Sequence, residues 1–367
     1  MGKSLRPDNL PTLRSTFELQ PNGLNAARHI FATVVVFSHA FEVGNYGLDP
    51  LKVPTGLTTG DLGVAFFFAV SGFLLARSWS RNPNWKIFLW HRFLRIFPAF
   101  WVCLGLCGLV LYPLWVLLQE DSFNSVNWDQ ALGYITSNAL LRIRQPGIGG
   151  MFSGHPADGV INGSLWSLFP EFLCYLLVLV LGAAGTLRQR LGPALAFGFI
   201  LLALGMSLTP VALRSHTGTS LFPPLFYIGK LLYVSSFFAG GILLFVFADK
   251  APISWWTWTG CFTAFAMILF TPSPITRAFL PVAVPYLAIS GSCLMPFNRF
   301  DGIGDFSYGI YIYHYPIQQI MYGSHLFEES SVGIFALSSW VYTCVLACFS
   351  WFGVERIALR IRHRFDR

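Results

Sequence analysis

Apolar residues along this chain gather in long blocks parted by short polar or proline-containing breaks, and most blocks have the length a helix needs to cross a bilayer. Ten such blocks predict ten membrane-spanning helices, at about 24–42, 62–79, 94–118, 171–186, 193–210, 229–248, 253–271, 278–296, 304–322 and 332–355. Pro170, Pro193 and Pro252 fall at block starts, where a proline suits a first helical turn. The longest stretch outside the blocks is 119–170. Its turn-forming pairs Pro146-Gly147, Gly149-Gly150, Asp158-Gly159 and Asn162-Gly163 mark it as a loop, with one short helix expected near 128–141. A loop of that size is usually functional or disordered. Asn162-Gly163-Ser164 is formally a glycosylation tripeptide, a pattern common by chance. No repeat of 20 to 50 residues is visible.

Composition fixes the class. Of 367 residues 54% are hydrophobic and 11% charged, and the mean hydropathy is +0.57; a soluble domain carries about 25% charged residues. The expected fold is therefore an all-α polytopic membrane protein, a bundle of about ten transmembrane helices in which 36 Phe and 12 Trp supply aromatic belts. A net charge of +7 would also suit nucleic acid, but the basic residues sit in the short breaks, where topology explains them. With both termini cytoplasmic, seventeen Lys and Arg lie inside. Lys52, Arg142, Arg144, Arg214 and Arg277 lie outside, while Arg28 and Lys230 belong to spans. That one-sided excess obeys the positive-inside rule. The expected organisation is a cytoplasmic tail at 1–22, a transmembrane domain at 23–356 with 119–170 as its extracytoplasmic loop, and a basic cytoplasmic tail at 357–367. Residues 1–20 are polar and mixed in charge, unlike a cleavable signal peptide. The seven cysteines form no CxxC pair and lie in apolar runs, which reads as reduced packing residues.

The first block holds two ionisable residues, Arg28 and His39, eleven positions apart. Eleven helical steps return to within about 20° of the start and advance about 16 Å, so both project from one face at different depths. Ionisable groups inside a span are costly and by default face a cavity or pathway; a snorkelling Arg28 and a hydrogen-bonded packing His39 are the plainer alternative. In the link 77–98, Arg92 and Arg95 share a helix face and together suit a phosphate-bearing ligand, although ordinary positive-inside charge would also account for them. Ser71-Gly72 lies mid-span, where small residues let helices approach; Ser71 is a weak nucleophile candidate. Glu171 follows Trp166 and Pro170 in the first turn of a helix, where the dipole favours a carboxylate. At the outer boundary, level with His39, it could orient the imidazole or act as a base. Ser307, Tyr311 and His314 form one stripe of span nine, with Tyr308 and Tyr313 beside it: a cavity wall, or a set of interhelical hydrogen bonds. No metal-ligand spacing, phosphate-binding glycine loop or serine elbow appears.

In this order the segments resemble the membrane-bound acyltransferase-3 family, the O-acyltransferases that modify extracytoplasmic polysaccharides. Arg28…His39 resembles the family's Arg-(ten residues)-His signature. Phe67-Phe68-Ala69-Val70-Ser71-Gly72-Phe73 matches its Phe-Phe-x-x-Ser-Gly-Phe segment, and Arg92-Phe93-Leu94-Arg95-Ile96-Phe97-Pro98 its basic Arg-x-x-Arg-Ile-x-Pro element. Trp166-Ser167-Leu168-Phe169-Pro170-Glu171 is similar to Trp-Ser/Thr-Leu-x-x-Glu, and Ser307-Tyr308-Gly309-Ile310-Tyr311, followed by His314, to Ser-Tyr-x-x-Tyr. The likeness covers about residues 22–355. Two positions depart from it: Asn25-Ala26-Ala27 where many members have an acidic residue, and Ala65 where many have Asp.

The resemblance implies transfer of an acyl group, usually acetyl, from cytoplasmic acyl-CoA as co-substrate to a sugar hydroxyl across the membrane. The acceptor would be an extracytoplasmic or lipid-linked polysaccharide. No bound cofactor or metal is expected, and membrane lipids are the remaining expected partner. On this reading the catalytic residues are His39, Glu171 and Arg28. Arg92 and Arg95 bind the donor, and Ser71, Tyr308, Tyr311, His314 and Trp166 line the cavity. His39 would be general base or transient acyl carrier, with Glu42 or Glu171 orienting its ring. Ending at Arg367, the chain is expected to lack the additional hydrolase-like domain of some members, and to deliver acyl groups directly or through a partner. The expected location is a bacterial inner membrane, as a multi-pass plasma-membrane protein. A transporter or flippase of a sugar or lipid-linked glycan would use buried His and Arg equally well; it should show related halves, which are not visible. A membrane scaffold would leave those residues unexplained.

Overall fold

A computed structural model of the chain describes residues 11–19, 21–120, 122–187, 223–271, 277–295 and 304–362, with the single positions 198, 273 and 302. Every named element among the described residues is helical, and Thr12 and Pro252 form an isolated antiparallel bridge. The span expected at 193–210 lies outside the described residues. So do Lys3, Arg6, Arg188, Arg190, Arg214, Arg299, Arg364 and Arg367 of the charge count.

Helix α1 (Leu13–Leu19) lies inside the stretch expected as a tail and is docked instead. Leu13 and Phe17 are buried, and the Leu13 and Arg14 amides donate to the carbonyls of Ala251 and Ala248. α2 (Leu24–Val43) and α3 (Thr59–Arg81) follow their predicted blocks. Only 82–84 separates α3 from α4 (Trp85–Gly105), so the expected link 77–98 is a tight helical hairpin and Arg92 and Arg95 ride on a helix. The reason is local: Asn84 caps α4 by accepting from the amides of Lys86 and Ile87. α4 runs on through a π-helical turn, Leu106–Leu111, into α5 (Tyr112–Glu120).

The long loop is built rather than loose. α6 (Trp128–Asn138) is the short helix expected there. At its end the Asn138 side chain accepts from the amides of Arg144 and Gln145 and donates to the Gln145 carbonyl. Ile148, Met151, Phe152, Ile161 and Leu165 are buried beneath the segment. Asn162 is 4% exposed and donates to the Ile312 carbonyl at 2.7 Å; burial removes it as a glycan acceptor. A 3-10 turn, Gly163–Ser167, leads into α7 (Leu168–Ala183), which starts three residues before the predicted block. α8 (Pro223–Val246), α9 (Trp255–Phe270), α10 (Leu280–Leu294), α11 (Ser307–Gly323) and α12 (Val332–Ser350) follow. A π-helical turn, Trp351–Glu355, joins α12 to α13 (Arg356–Arg362), so the start of the expected C-terminal tail is helical too.

Five of these segments are long and apolar enough to cross a membrane: Thr59–Arg81, Trp85–Gln119, Gly163–Ala183, Ile228–Val246 and Val332–Ile361. The chain is thus an all-helical membrane protein among its described residues. α9 and α10 are apolar but shorter, and α2 and α11 are diluted by the polar residues described below. α8 lies tight along α3. A Cβ on Gly72 would fall 2.0 Å from the Phe238 carbonyl oxygen, and one on Gly241 2.0 Å from that of Ala69, so only glycine fits at this crossing. α2 and α11 run side by side in the same direction: Arg28 pairs with Asp305 near their starts, and Gln318 donates to the Val36 carbonyl farther along. This parallel pair forms the frame of the site.

Candidate active site

Near the α3–α4 turn a cavity of about 620 Å³ is lined by Arg28, Arg77, Arg81, Arg92 and Arg95, with His91, Ser71, Ser167, Tyr175 and Tyr308. Its acidic lining residues are Glu171 and Asp305. Asp305, just before α11, bonds Arg28 through Oδ2, takes a second bond there from Arg95 at 2.6 Å, and receives the Ser307 hydroxyl on Oδ1. Side-chain exposures of 24% for Arg28, 15% for Arg95 and 17% for Asp305 keep the triad in reach of water and ligand. Glu171 accepts from the Tyr175 hydroxyl at 2.5 Å and from Ser71 at 3.5 Å. Outside the lining, Glu18 of α1 lies 3.6 Å from Arg77 and 3.7 Å from Arg81. Arginines exceed carboxylates in the lining, so the cavity suits an anion with several phosphates or carboxylates.

A second cavity, of about 440 Å³, adjoins the α2–α3 connection and is lined by His39, Glu42, Asp49, Lys52, Asp61 and Trp166 among others. It lies toward the start of α3, and the cationic cavity toward its end. Val64 and Tyr311 line both cavities and form the partition between them. Tyr311 is fixed there by its hydroxyl, which bonds Ser167 at 2.6 Å and donates to the Ser164 carbonyl at 3.0 Å. Asp49 is absorbed by local structure, accepting from Ser38, Thr59 and the Leu51 amide. Asp61 closes a capping box with Thr58. Lys230, nearly buried, stacks over the Trp166 ring at 4.1 Å.

The partner of His39 is His314. Their Nδ1 and Nε2 atoms are 2.9 Å apart, and His314 is fully buried. Its Nδ1 faces the Ile310 carbonyl at 3.2 Å, and Ser164 Oγ lies 3.2 Å from its Nε2.

Most sequence-derived candidates converge, but not all in the expected way. Arg28, Arg92 and Arg95 share the cationic cavity with Ser71, Tyr308 and Tyr311. Arg28 and His39 share a helix face, yet belong to different cavities. Glu171 does not orient His39. It lines the arginine cavity, because α7 starts early and turns its first carboxylate toward Ser71 and Tyr175. The ring's neighbour is supplied by the α11 stripe, from His314. Trp166 lines the second cavity, and Tyr308 donates to the Ile96 carbonyl at 3.0 Å. Sequence reading missed Asp305, Tyr175, Ser164 and the Lys230–Trp166 contact. One signal was present for the first: two arginines kept near a membrane interior need a carboxylate, and Asp305 stands two residues before Ser307.

Comparison with known proteins identifies the family. Residues 22–354 match the model of an acyltransferase domain, the acyltransferase-3 family. The chain is 26% identical over 339 residues to an "O-acetyl transferase" of Shigella phage Sf6, covering 91% of this chain and 95% of that protein. It is 28% identical over 367 residues to "Nodulation protein 10" of Rhizobium leguminosarum bv. viciae, covering 93% and 94%. No solved structure matches it. The chain belongs to the acyltransferase-3 family and is a membrane O-acyltransferase.

Proposed function

We propose that this acyltransferase takes an acyl group, acetyl by analogy with the phage relative's name, from acyl-CoA in the arginine cavity. It passes that group to a hydroxyl of an extracytoplasmic or lipid-linked polysaccharide entering the second cavity. The observation that carries this reading is the pair of chambers toward opposite ends of α3, which share Val64 and Tyr311 in their linings. One is cationic and the other contains His39. Arg92, Arg95 and Arg28 hold the donor's phosphates, and Glu171 offsets part of their charge while fixing Tyr175 and Ser71. The thioester reaches the partition beside Tyr311. His39 acts as general base: its bare ring nitrogen takes the acceptor's hydroxyl proton as that oxygen attacks the thioester carbonyl. The carbon–sulfur bond then breaks, and the departing thiolate recovers the proton from the imidazolium, leaving an O-acyl ester and free CoA thiol.

The basic α3–α4 hairpin faces the cytoplasm on this reading, with both termini on that side. The 119–170 segment lies outside, in a bacterial inner membrane. Cysteines placed at Ser80 and Ser153, both exposed, test the orientation in a background without other cysteines. On intact cells an impermeant maleimide should label position 153 alone. The reaction is tested with purified protein in detergent, by following thiol release from acetyl-CoA. Release that rises with added glycan acceptor supports the reading; a protein that binds glycan without consuming thioester refutes it.

A further inference from the structure

The hydrogen bonds around His314 define where its proton sits, and from it the proton of His39. A carbonyl oxygen only accepts, so the 3.2 Å approach of His314 Nδ1 to the Ile310 carbonyl requires the proton on Nδ1. A buried neutral ring then has a bare Nε2. That nitrogen faces His39 Nδ1 at 2.9 Å; two bare nitrogens would repel, so His39 carries its proton on Nδ1, where the Val35 carbonyl one turn back on α2 is a second acceptor beside His314. The ring centroids are 5.1 Å apart and the planes differ by 26°. This separation is close to the nitrogen–nitrogen distance plus the two ring radii, so the rings meet edge to edge and not face to face. His39 Nε2, on the opposite side of its ring from this bond, is left bare. His39 belongs to the wall of the second cavity, and His314 to the wall of neither of the two cavities.

We infer that His314 is a positioning residue that fixes His39 in the Nδ1–H tautomer, leaving Nε2 as the nitrogen that takes the acceptor proton. The chain of instruction runs from the Ile310 carbonyl through His314 to His39, and the Ser164 hydroxyl, 3.2 Å from the same Nε2, shares its lone pair with the nearer His39. It does the work that a buried carboxylate does for histidine in the serine-protease triad. Here a neutral ring replaces the acid, which avoids burying a charge in the membrane interior. When His39 becomes an imidazolium, its Nδ1–H still points at a lone pair and the bond strengthens. His314 itself never touches substrate.

The inference rests on His39 being the reacting group, so His39→Ala is measured beside the His314 series. His314→Gln can place an amide oxygen where Nε2 lies, His314→Asn is too short to do so, and His314→Leu keeps bulk but accepts nothing. The expected order of kcat is wild type, then Gln, then Asn and Leu, the last two lower by on the order of 10²–10⁴, with the KM for acetyl-CoA unchanged. A packing role would rank Leu above Gln. Histidine labelled with nitrogen-15 gives a readout independent of turnover: the His39 signals report a protonated Nδ1 in wild type and Gln, and a mixed or inverted tautomer in Leu or Asn. If His314→Leu keeps wild-type kcat, or the His39 tautomer is the same in all variants, the inference is overturned. Turnover retained by His39→Ala would instead remove the base reading on which it stands. Should Leu not fold, the Gln and Asn pair carries the same comparison.

Discussion

The parallel helices α2 and α11 are bridged at two levels, and the two rungs are chemically opposite. The first, Arg28 to Asp305 with Arg95 joining from α4, is fully charged and borders the 620 Å³ cavity. The second, His39 to His314, can form with no net charge, and its inner member has no exposed surface. The contrast follows from solvent. Ions keep much of their solvation where a cavity admits water, whereas an ion sealed among helices would lose several kcal/mol. A neutral imidazole pair needs only its hydrogen bonds satisfied. On the function proposed here, the charged rung serves to recognise and anchor the donor, and the neutral rung to hold one nitrogen ready for proton transfer.

If the rungs divide the labour in this way, the largest effect belongs to His39. His39→Ala should lower kcat by at least about 10²–10⁴, the usual cost of losing a placed base, while acetyl-CoA binding by calorimetry stays intact. His39→Gln should fail as well, since an amide keeps polarity and reach but accepts no proton. A His39→Gln enzyme with near-normal turnover would make the neutral rung merely structural. Next come the arginines. Arg92→Ala and Arg95→Ala should each weaken donor binding by about ten- to a hundredfold, since a hydrogen bond to a charged group contributes about 1.5–3 kcal/mol. Glycan affinity should not follow. Equal losses for donor and acceptor would mean that the cationic cavity is not a donor site.

How much of this was legible in the chain depends on whether a contact is local. The Arg28–His39 face, the α11 stripe and the Arg92–Arg95 pair are set by helical period, and each appears where the period puts it. The hairpin at 82–84 was obscured by its charges: Arg77, Arg81, Lys86 and Arg92 look like a polar link, although the Asn84 cap and the apolar Ile87, Phe88 and Leu89 begin a helix there. Cross-chain partners were not legible. His39 and His314 are separated by 275 positions, and Arg28 and Asp305 by 277. Periodicity can say that a helix has a polar face without saying which other face meets it. Glu171 shows the same limit: expected at the outer boundary level with His39, it instead reaches Ser71 and Tyr175 in the arginine cavity, and neither that depth nor that direction could be read from its place in the first turn of α7.

The smallest effect should come from removing the charge at the centre of the first rung. Asp305→Asn preserves shape and one carbonyl oxygen, so the Ser307, Arg28 and Arg95 contacts weaken without a hole being opened. Two guanidiniums then share a neutral acceptor. Breaking a sealed ion pair costs about 3–5 kcal/mol, but these side chains retain contact with a wet cavity, and a loss of about 1–3 kcal/mol in unfolding stability is expected. Donor binding receives two opposed contributions. The arginines lose the tether that orders them, and the cavity loses a negative charge that opposed the donor's phosphates. With these offsetting, the KM for acetyl-CoA should move by no more than about fivefold, roughly 1 kcal/mol. The site of proton transfer lies nine residues along α11, about 14 Å by helical rise, so kcat should be unaffected. Thermal unfolding and steady-state kinetics on the same preparation read all three quantities. A fall in kcat of a hundredfold with KM unchanged would contradict the separation of the rungs and bring Asp305 into the chemistry itself.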